Sequence, residues 1–307
     1  MSSSQSTRVG RRTLDIHRPD KVLFPASGKG KEYTKGDLVA YYQAVAPFML
    51  PDLRGRPLML ERHPDGIDGP KFMQKNTPDH YPDWIERVEV PKEGGTVLHP
   101  VCRDAATLVY LADQACLTLH RWLSRVGRID RPDRLVFDLD PSEGDDFTAV
   151  REAARLLGEL LDKLKLPSGL MTTGSRGLHV VVPLDGRHSF DEVRDFAKQV
   201  AGVLTDAHPD RLTTEARKKE RGDRLYLDVQ RNAYAQTVVA PFTVRAKPGA
   251  PVAVPISWSR LDDPRLDARR WTIADAVEQG HADPWAGVMS HGRALGPARR
   301  RLDLLTG

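Results

Sequence analysis

The sequence predicts an α+β fold, and three observations support this class. Apolar strands follow one another closely, as in GLMTTGSRGLHVVVPL, which is typical of a strand, a turn and a second strand. Helical segments with an apolar period of about 3.6 residues lie between such strands, for example over 147–165. Hairpin-like strand pairs alongside amphipathic helices indicate a mixed α and β architecture.

The composition is that of a globular protein. The chain has 307 residues, 40% hydrophobic and 29% charged, which is enough for the core of one large domain or two smaller ones. Its formal net charge of +4 is only a weak indication of an anionic partner. Basic runs occur at 8–12, 29–35, 217–224 and 298–301, and each is either a solvated face or a nucleic-acid contact.

Cysteine usage and hydropathy predict a cytoplasmic protein without membrane contact. Cys102 and Cys116 are not in CxxC spacing and have no histidine cluster beside them, so we expect reduced thiols. The N-terminus has no apolar leader. No apolar run approaches the ~20 residues that a membrane helix needs.

The first half of the chain has one strong helix signal. Residues 1–12 are polar, and we expect them to be disordered. Thr34 and Asp37 have the spacing of a capping box, and the apolar period that follows predicts an amphipathic helix. After a Pro- and Gly-rich span over 51–70, residues 104–116 predict a second helix and LTLHRW predicts a strand.

The second half is more regular. A strand is predicted at 134–139, and RLYLDVQ and TVVAPFTV predict two more. SFDEV at 189–193 contains a capping box and begins a helix, and a short helix is expected near 272–279. The turn and cap before the helix at 147–165 are expected to include three solvated acidic residues: Glu143, Asp145 and Asp146.

The stretch LVFDLDP places two carboxylates at the end of an apolar strand. Asp138 and Asp140 project to one face, Leu139 points into the core, and Pro141 ends the strand. Two carboxylates this close repel each other unless a cation lies between them, and Mg²⁺ or Mn²⁺ prefers such oxygen ligands. The alternative is a strand-end turn with solvated aspartates.

A third carboxylate, Asp228, follows the later strand RLYLDVQ. Strand alternation places it on the same face as Tyr226. An acidic residue in such a strand needs a partner. One interpretation is an ion pair with Arg221 or Arg231. The other is a third ligand that completes a two-metal site, as in polymerases and nucleases.

The turn TGSRGLHV, over 173–180, indicates a site for phosphates. Gly174 and Gly177 permit a tight turn whose backbone N–H groups can face an anion. Ser175, Arg176 and His179 add donors. The GK[ST] ending of a Walker A loop and the spacing of a dinucleotide-binding loop are both missing. Beside three carboxylates, such a turn predicts a triphosphate site.

Together these motifs resemble the archaeo-eukaryotic primase superfamily, whose pattern is DLD, then S-x-G-x-H, then a later strand aspartate. The resemblance is closer to one branch, the polymerase domain of bacterial end-joining ligase D and its stand-alone relatives. It extends over nearly the whole chain through the segments PDKVLFPASG, ERHPDG, PKFMQKN, LTLHRW, LVFDLDP, GSRGLHVVVPL, LYLDVQRN and VVAPFTVRA.

This resemblance implies a fold and a domain organisation. The expected fold has an RRM-like antiparallel sheet as its catalytic core, packed with an N-terminal α/β unit. A single primase-polymerase domain is expected over 13–300. Within it we expect a DNA-binding subregion at 13–125, the catalytic core at 126–250 and a C-terminal segment at 251–307.

The resemblance also implies roles for individual residues. The catalytic, metal-binding aspartates are Asp138, Asp140 and Asp228, and His120 is expected near the metal and the primer end. The residues expected to bind the nucleotide are Thr173, Ser175, Arg176, His179 and Arg245. Those expected to bind DNA are Lys21, Lys35, Arg62, Phe72, Arg221 and Arg231; among them Lys21 and Lys35 match lysines that bind a 5′-phosphate, and Phe72 matches an aromatic that packs on template bases.

The implied function is template-directed nucleotidyl transfer with two divalent ions, Mn²⁺ or Mg²⁺, and NTP or dNTP substrates. The family implies a preference for ribonucleotides, and gap filling and end extension in non-homologous end joining. The implied partners are a gapped or broken duplex with a 5′-phosphate, a Ku-like protein and a separate DNA ligase. A bacterial, nucleoid-associated location follows from such a role.

The chain departs from the family at a few positions. Met73 follows Phe72 where some relatives have two adjacent aromatics, and Arg176 stands where lysine is frequent. Ligation is not expected, because 307 residues leave no room for a ligase module and PDGI lacks a lysine nucleophile.

Two other functions share part of the pattern. A metal-dependent nuclease or phosphatase would use the same carboxylates but would shorten DNA ends or remove their phosphates. A non-catalytic module that binds DNA ends would leave the three aspartates unexplained.

Overall fold

The computed structural model describes residues 4–28, 30–142 and 147–307, the last range without the Thr306 side chain. The predicted acidic turn at Glu143, Asp145 and Asp146 lies outside the described residues. The elements of the first half are β1 (Ser4–Val9), β2 (Arg12–His17), β3 (Val22–Phe24), β4 (Tyr33–Thr34), α1 (Lys35–Leu53), β5 (Leu58–Arg62), β6 (Phe72–Gln74), β7 (Glu86–Lys92), β8 (Gly95–Val101), α2 (Ala105–Asp113) and β9 (Cys116–Trp122).

The elements of the second half follow from Arg134 onward. They are β10 (Arg134–Asp140), α3 (Phe147–Lys163), β11 (Gly169–Thr172), β12 (Leu178–Pro183), α4 (Phe190–Ala207), β13 (Leu212–Thr213), α5 (Lys218–Arg221), β14 (Leu225–Asp228), β15 (Thr237–Val239), β16 (Pro255–Ile256), α6 (Ala276–His281) and α7 (Leu295–Thr306). Two short 3-10 helices lie at Gln230–Asn232 and Trp258–Asp262.

The chain forms two compact units. The first contains 1–122, 237–254 and 271–282, and the second contains 123–236, 255–270 and 283–307. After residue 236 the chain enters the first unit again twice. The single domain over 13–300 and its subregions stay a prediction.

The first unit is built around an antiparallel sheet in the order β15-β9-β5-β6. Its helices α1 and α2 pack against each other. Thr34 caps α1 by accepting a hydrogen bond from the Asp37 amide, while the Asp37 side chain accepts one from the Thr34 amide. This confirms the predicted capping box, whose two bonds satisfy amides that the first helical turn leaves without partners.

The N-terminus differs from the expected disorder over 1–12. Ser4–Val9 pairs with Arg12–His17 in an antiparallel hairpin, with Gly10 at a φ of +60° in its turn. Val9 and Ile16 are buried, and the hairpin contacts α2. Residues 4–12, in which Val9 is the one large apolar side chain, are therefore ordered by a partner strand that the local composition does not reveal.

The second unit contains the sheet that carries most of the predicted site. Its strand order is β13-β14-β10-β12-β11-β16, and every neighbouring pair is antiparallel except β13 with β14. Helices α3 and α4 contact each other and both contact β10. The predicted capping box at Ser189 and Glu192 begins α4. Antiparallel sheets beside separate helices confirm the predicted α+β class.

Several predicted elements are shorter than expected. Of TVVAPFTV only Thr237–Val239 is a strand, and the helix expected near 272–279 begins at Ala276. The second helix ends at Asp113, shortly before Ala115 adopts a positive φ of +54°. Among the described residues, no helix combines the length and the apolar character that crossing a bilayer requires.

Candidate active site

The two predicted carboxylate segments lie on neighbouring antiparallel strands of the second unit. In the register of β10 with β14, Asp138 lies opposite Asp228, and Asp140 lies opposite Tyr226. Leu139 is fully buried, as strand alternation predicts. The register therefore brings the three predicted catalytic carboxylates to the same end of β10.

Asp228 is the most buried of the three carboxylates, with 8% of the residue exposed. It accepts hydrogen bonds from the Tyr226 hydroxyl at 3.2 Å and the Gln230 amide at 2.8 Å. Burial raises its pKa, and the charge of Asp138 adds to this effect, although Arg231 opposes it. The raised pKa means that the folded protein destabilises the ionised form of Asp228 relative to a carboxylate in water.

Arg231 lies between the two opposed carboxylates. Its Nε is 3.3 Å from Oδ2 of Asp228 and 3.9 Å from Oδ2 of Asp138. The ion pair considered for Asp228 is therefore present with Arg231. A contact of Arg231 with DNA stays a prediction.

Asp140 is paired with two arginines, one on each oxygen. Arg176 Nη2 lies 3.3 Å from Oδ1, and Arg221 Nη1 lies 3.3 Å from Oδ2. Arg221 also lies 3.9 Å above the Tyr226 ring, in a cation–π contact. From the sequence, Arg221 was one of two expected ion-pair partners of Asp228. In the structure Arg221 pairs with Asp140 instead. Its contact with DNA stays a prediction.

His179 reaches the carboxylates from the other neighbour of β10. It lies opposite Asp138 in the register of β10 with β12, and its Nε2 is 3.4 Å from Oδ1 of Asp138. The residue is 4% exposed. Asp138 thus has an imidazole on one side and the guanidinium of Arg231 on the other.

The turn between β11 and β12 is organised by Thr173. Its hydroxyl accepts hydrogen bonds from the amides of Ser175, Arg176 and Gly177 at 3.2–3.3 Å and donates one to the Gly177 carbonyl. These amides were expected to face an anion, but they point inward to Thr173. Thr173 is buried and shapes the turn. Its contact with the nucleotide stays a prediction.

The two glycines of the turn are needed for different reasons. Gly174 has a φ of +62°, a backbone conformation that side chains disfavour. Gly177 has no such φ, but a Cβ on it would lie 1.8 Å from the carbonyl oxygen of Leu139. The turn can therefore approach β10 closely only because residue 177 has no side chain.

A basic groove of about 310 Å³ lies beside this turn in the second unit. It is lined by Arg176 and Arg221, which pair with Asp140, and by Lys218 and Lys219 of α5. The sequence showed these lysines only as part of the basic run at 217–224. Four cationic side chains around one groove suit a polyanion such as a triphosphate.

The two lysines expected to bind a 5′-phosphate lie in the first unit and differ in exposure. Lys21 Nζ is 2.7 Å from Oδ1 of the exposed Asp65. Lys35 is only 6% exposed, and its Nζ lies 3.4 Å from Oδ1 of Asp113. Burial lowers the pKa of Lys35. The other oxygen of Asp113 lies 3.0 Å from Nδ1 of His17, a neighbour that sequence reasoning missed because it lies 96 positions away.

Arg62 and Phe72 lie opposite each other on β5 and β6. Arg62 donates to the Gln114 carbonyl at 2.9 Å and to Oε1 of Gln74 at 2.8 Å, so these protein groups already hold its guanidinium. Phe72 is 57% exposed and Met73 46% exposed. Phe72 therefore exposes an aromatic ring that can stack on bases.

His120 and Arg245, predicted near the metal and the nucleotide, belong to the first unit. His120 Nε2 lies 3.8 Å from Oε2 of Glu61, and His63 Nε2 lies 3.3 Å from Oε1. Hydrogen bonds from these two histidines, of which that from His120 has the larger effect, lower the pKa of Glu61 to about 2. The Arg245 amide donates to the Pro251 carbonyl. Both functional assignments stay predictions.

The carboxylate cluster has the donor chemistry of a divalent cation site. Its three members supply only oxygen ligands, and the opposition of Asp138 and Asp228 creates a charge repulsion that a cation would relieve. In the described ranges, no three His, Cys, Asp or Glu side chains are gathered as tightly as a bound metal requires. Arginine nitrogens lie 3.3–3.9 Å from all three carboxylates instead.

Comparison with known proteins gives consistent matches. A sequence profile described as the LigD primase-polymerase domain matches residues 34–285. The chain is 36% identical over 274 residues to the multifunctional non-homologous end joining DNA repair protein LigD of Mycobacterium tuberculosis, covering 87% of this chain and 35% of that protein. It is 31% identical to the LigD protein of Pseudomonas aeruginosa, covering 98% of this chain and 36% of that protein.

A solved structure is similar as well. The polymerase domain from Mycobacterium tuberculosis ligase D in complex with DNA superposes with a TM-score of 0.83 and 33% identity, covering 92% of this chain and 99% of the other. This similarity confirms the fold that the motifs implied. The chain spans about a third of the length of the two full-length relatives.

Proposed function

The chain belongs to the LigD primase-polymerase domain family, and from this premise we propose that it adds nucleotides to the 3′ end of a DNA primer under the direction of a template. Membership makes it a nucleotidyltransferase. The observation that carries the proposal is the convergence of Asp138, Asp140 and Asp228 from two paired strands, beside a basic groove.

The three carboxylates would hold two divalent ions, Mn²⁺ or Mg²⁺. Bound there, the ions would lower the pKa of the primer 3′-hydroxyl and stabilise the charge of the leaving pyrophosphate. No nucleophile from the protein is needed. The contribution of the chain is to orient the nucleotide and neutralise its charge.

The arginines around the carboxylates have a second proposed role, which is to bind the phosphates of the nucleotide. Arg176 and Arg221 now neutralise Asp140, and Arg231 neutralises the opposed pair. A guanidinium on a carboxylate competes with a cation for the same oxygens. The phosphates of an incoming nucleotide would offer these side chains another anion, and Ser175 and His179 would hold the nucleotide with them.

The first unit supplies the groups proposed to bind DNA. Lys21 has a cationic head near the surface, and Phe72 exposes an aromatic face. We propose that Lys21 and Lys35 bind a 5′-phosphate on the downstream strand, and that Phe72 stacks on template bases with Arg62 close to the template. His120 would lie near the primer end, and Arg245 would contact the nucleotide.

We propose that this activity serves non-homologous end joining. The support is that the relatives are named as end-joining proteins, of which this chain matches about a third. Gapped or broken duplexes with a 5′-phosphate are the proposed substrates. A Ku-like protein and a separate DNA ligase are the proposed partners.

One assay distinguishes the proposed function from both alternatives. The chain is incubated with a primed, gapped duplex, Mn²⁺ or Mg²⁺, and NTPs or dNTPs. We expect the primer to lengthen by template-matched nucleotides. Shortening of the strand, or loss of its terminal phosphate, would instead support a nuclease or phosphatase. A gel shift without any change of length would support a binding module.

A preference for ribonucleotides is proposed on the family resemblance alone. We expect a higher kcat/KM for NTPs than for dNTPs on the same gapped duplex. Equal values for the two nucleotide classes would contradict this part of the proposal while leaving the polymerase activity in place.

The Lys21→Ala substitution is expected to weaken binding to gapped DNA about tenfold when the downstream strand carries a 5′-phosphate, because one charge-assisted hydrogen bond is lost. With a 5′-hydroxyl end we expect little change. Affinities measured on both duplexes test this.

The control is Asp65→Asn, which breaks the same ion pair from the other side. We expect this variant to keep its affinity for the phosphorylated end. Equal losses in both variants, or the same loss on the 5′-hydroxyl duplex, would contradict a direct phosphate contact of Lys21.

A further inference from the structure

Arg269 connects the C-terminal part of the second unit to the turn between β11 and β12. Its Nε donates a hydrogen bond of 2.9 Å to the carbonyl oxygen of Ser175. Both residues belong to the second unit, although 94 positions separate them. Sequence reasoning passed over Arg269, because DARRW contains no recognisable motif.

The backbone around Arg269 is held in place while its guanidinium remains exposed. The Arg269 amide donates to Oδ1 of Asp267 at 2.6 Å, which forms a local turn. In the described part of the chain, the guanidinium donates a hydrogen bond only to the Ser175 carbonyl. The two Nη groups therefore remain available for an anion.

The turn itself has few other donors to offer. The amides of Ser175, Arg176 and Gly177 bond to the Thr173 hydroxyl. The Arg176 guanidinium contacts Asp140 and the Pro141 carbonyl. Arg269 adds a cationic donor from outside the turn, and its hydrogen bond to the Ser175 carbonyl holds it there.

We propose that Arg269 binds the polyphosphate tail of the incoming nucleoside triphosphate. The bond from Nε to Ser175 fixes the plane of the guanidinium, and its Nη groups donate to phosphate oxygens beside the Ser175 hydroxyl. A guanidinium oriented in advance loses little conformational freedom on binding a phosphate. This inference rests on the proposed function, because it assumes a nucleotide at this turn.

The test is equilibrium binding of a non-hydrolysable α,β-imido nucleoside triphosphate, and of the corresponding monophosphate, to the DNA-bound protein with Mg²⁺. We expect Arg269→Ala to weaken triphosphate binding about tenfold, since charge-assisted bonds to phosphate are lost. Monophosphate binding is expected to change less than twofold, and Arg269→Lys to restore part of the triphosphate affinity.

The matched control is Arg265→Ala, which removes an exposed arginine of the same segment that pairs with Asp263 instead. We expect no change in binding of either nucleotide. Equal losses of triphosphate and monophosphate binding in Arg269→Ala would overturn the proposal, because they would show that Arg269 only braces the turn. Unchanged triphosphate binding would overturn it as well.

These outcomes can be separated from a failure of the proposed function. If the wild-type protein binds the triphosphate analogue but does not extend a primer, the polymerase proposal fails while Arg269 can still be judged from binding. If it extends a primer with the same nucleotide KM in Arg269→Ala and in wild type, only the role of Arg269 fails.

Discussion

Replacing Asp228 by asparagine is expected to abolish primer extension and, at the same time, to make the protein more stable. Loss of one carboxylate ligand should reduce the rate by more than about a thousandfold, because metal positioning supplies several kcal/mol of transition-state stabilisation. Affinity for gapped DNA should be nearly unchanged, since Asp228 is almost buried. Extension at a wild-type rate would contradict the assignment of the carboxylate cluster.

The gain in stability follows from the raised pKa of Asp228. The folded state binds this proton more tightly than the unfolded state, whose carboxyl has its ordinary pKa near 3.8. The stabilising contribution of the protonated carboxyl is complete below that value and is lost as the pH rises through the folded-state pKa. Asparagine does not titrate, so the advantage of Asp228→Asn should appear above the folded-state pKa and disappear in acid.

Thermal unfolding in a metal chelator measures this effect. At neutral pH we expect Asp228→Asn to raise the free energy of unfolding by about 1 kcal/mol, as is common when a strained functional residue is replaced. Adding Mn²⁺ should raise the Tm of the wild type more than that of the variant. Asp195→Asn, at an exposed aspartate paired with Lys198, is the control and should change stability by less than about 0.5 kcal/mol.

The Gly177→Ala substitution is expected to be the most destabilising change at the site. A Cβ at this position would lie 1.8 Å from the carbonyl oxygen of Leu139, so the turn or β10 must move. We expect a loss of about 3 kcal/mol or more, because the obstacle is backbone that cannot rotate away. Since Leu139 lies between two of the carboxylates, primer extension should fall as well.

The control for Gly177→Ala is Gly202→Ala. Gly202 lies inside α4, and among the described residues no atom beyond its chain neighbours and the backbone of its own helix would come within 4 Å of a Cβ there. Alanine at this position should stabilise the protein by up to about 1 kcal/mol, because it favours the helix over the unfolded chain. Denaturant unfolding of both variants tests the comparison. A Gly177→Ala protein as stable as the wild type would show that the turn can shift to accommodate the added Cβ.

The sequence determined the features that depend on neighbours along the chain. The capping boxes at Thr34 and Ser189 were predictable because both partners lie within one helical turn. Strand alternation placed Asp138 and Asp140 on one face and sent Leu139 into the core, because successive residues of a strand point to opposite sides. The three motifs together were also enough to indicate the family.

The tertiary structure decided which charges meet. The register of β10 with β14 sets Asp138 against Asp228, and the pairing partners Arg176 and Arg221 reach Asp140 from 36 and 81 positions away. The pattern of residues within one helix or strand does not show which residues so far apart in the sequence come into contact. For this reason the sequence could propose an ion pair or a metal at Asp228, whereas the folded chain shows a carboxylate cluster already neutralised by arginines.

The same distinction applies to the turn at 173–177. Its glycines and its polar side chains were visible in the sequence, but the direction of its amides was not. The turn amides donate to the Thr173 hydroxyl, and Arg269, from a distant segment of the chain, donates to the Ser175 carbonyl. Which donors remain for a ligand depends on hydrogen bonds that form only when the chain is folded, because each backbone amide has a single N–H to donate.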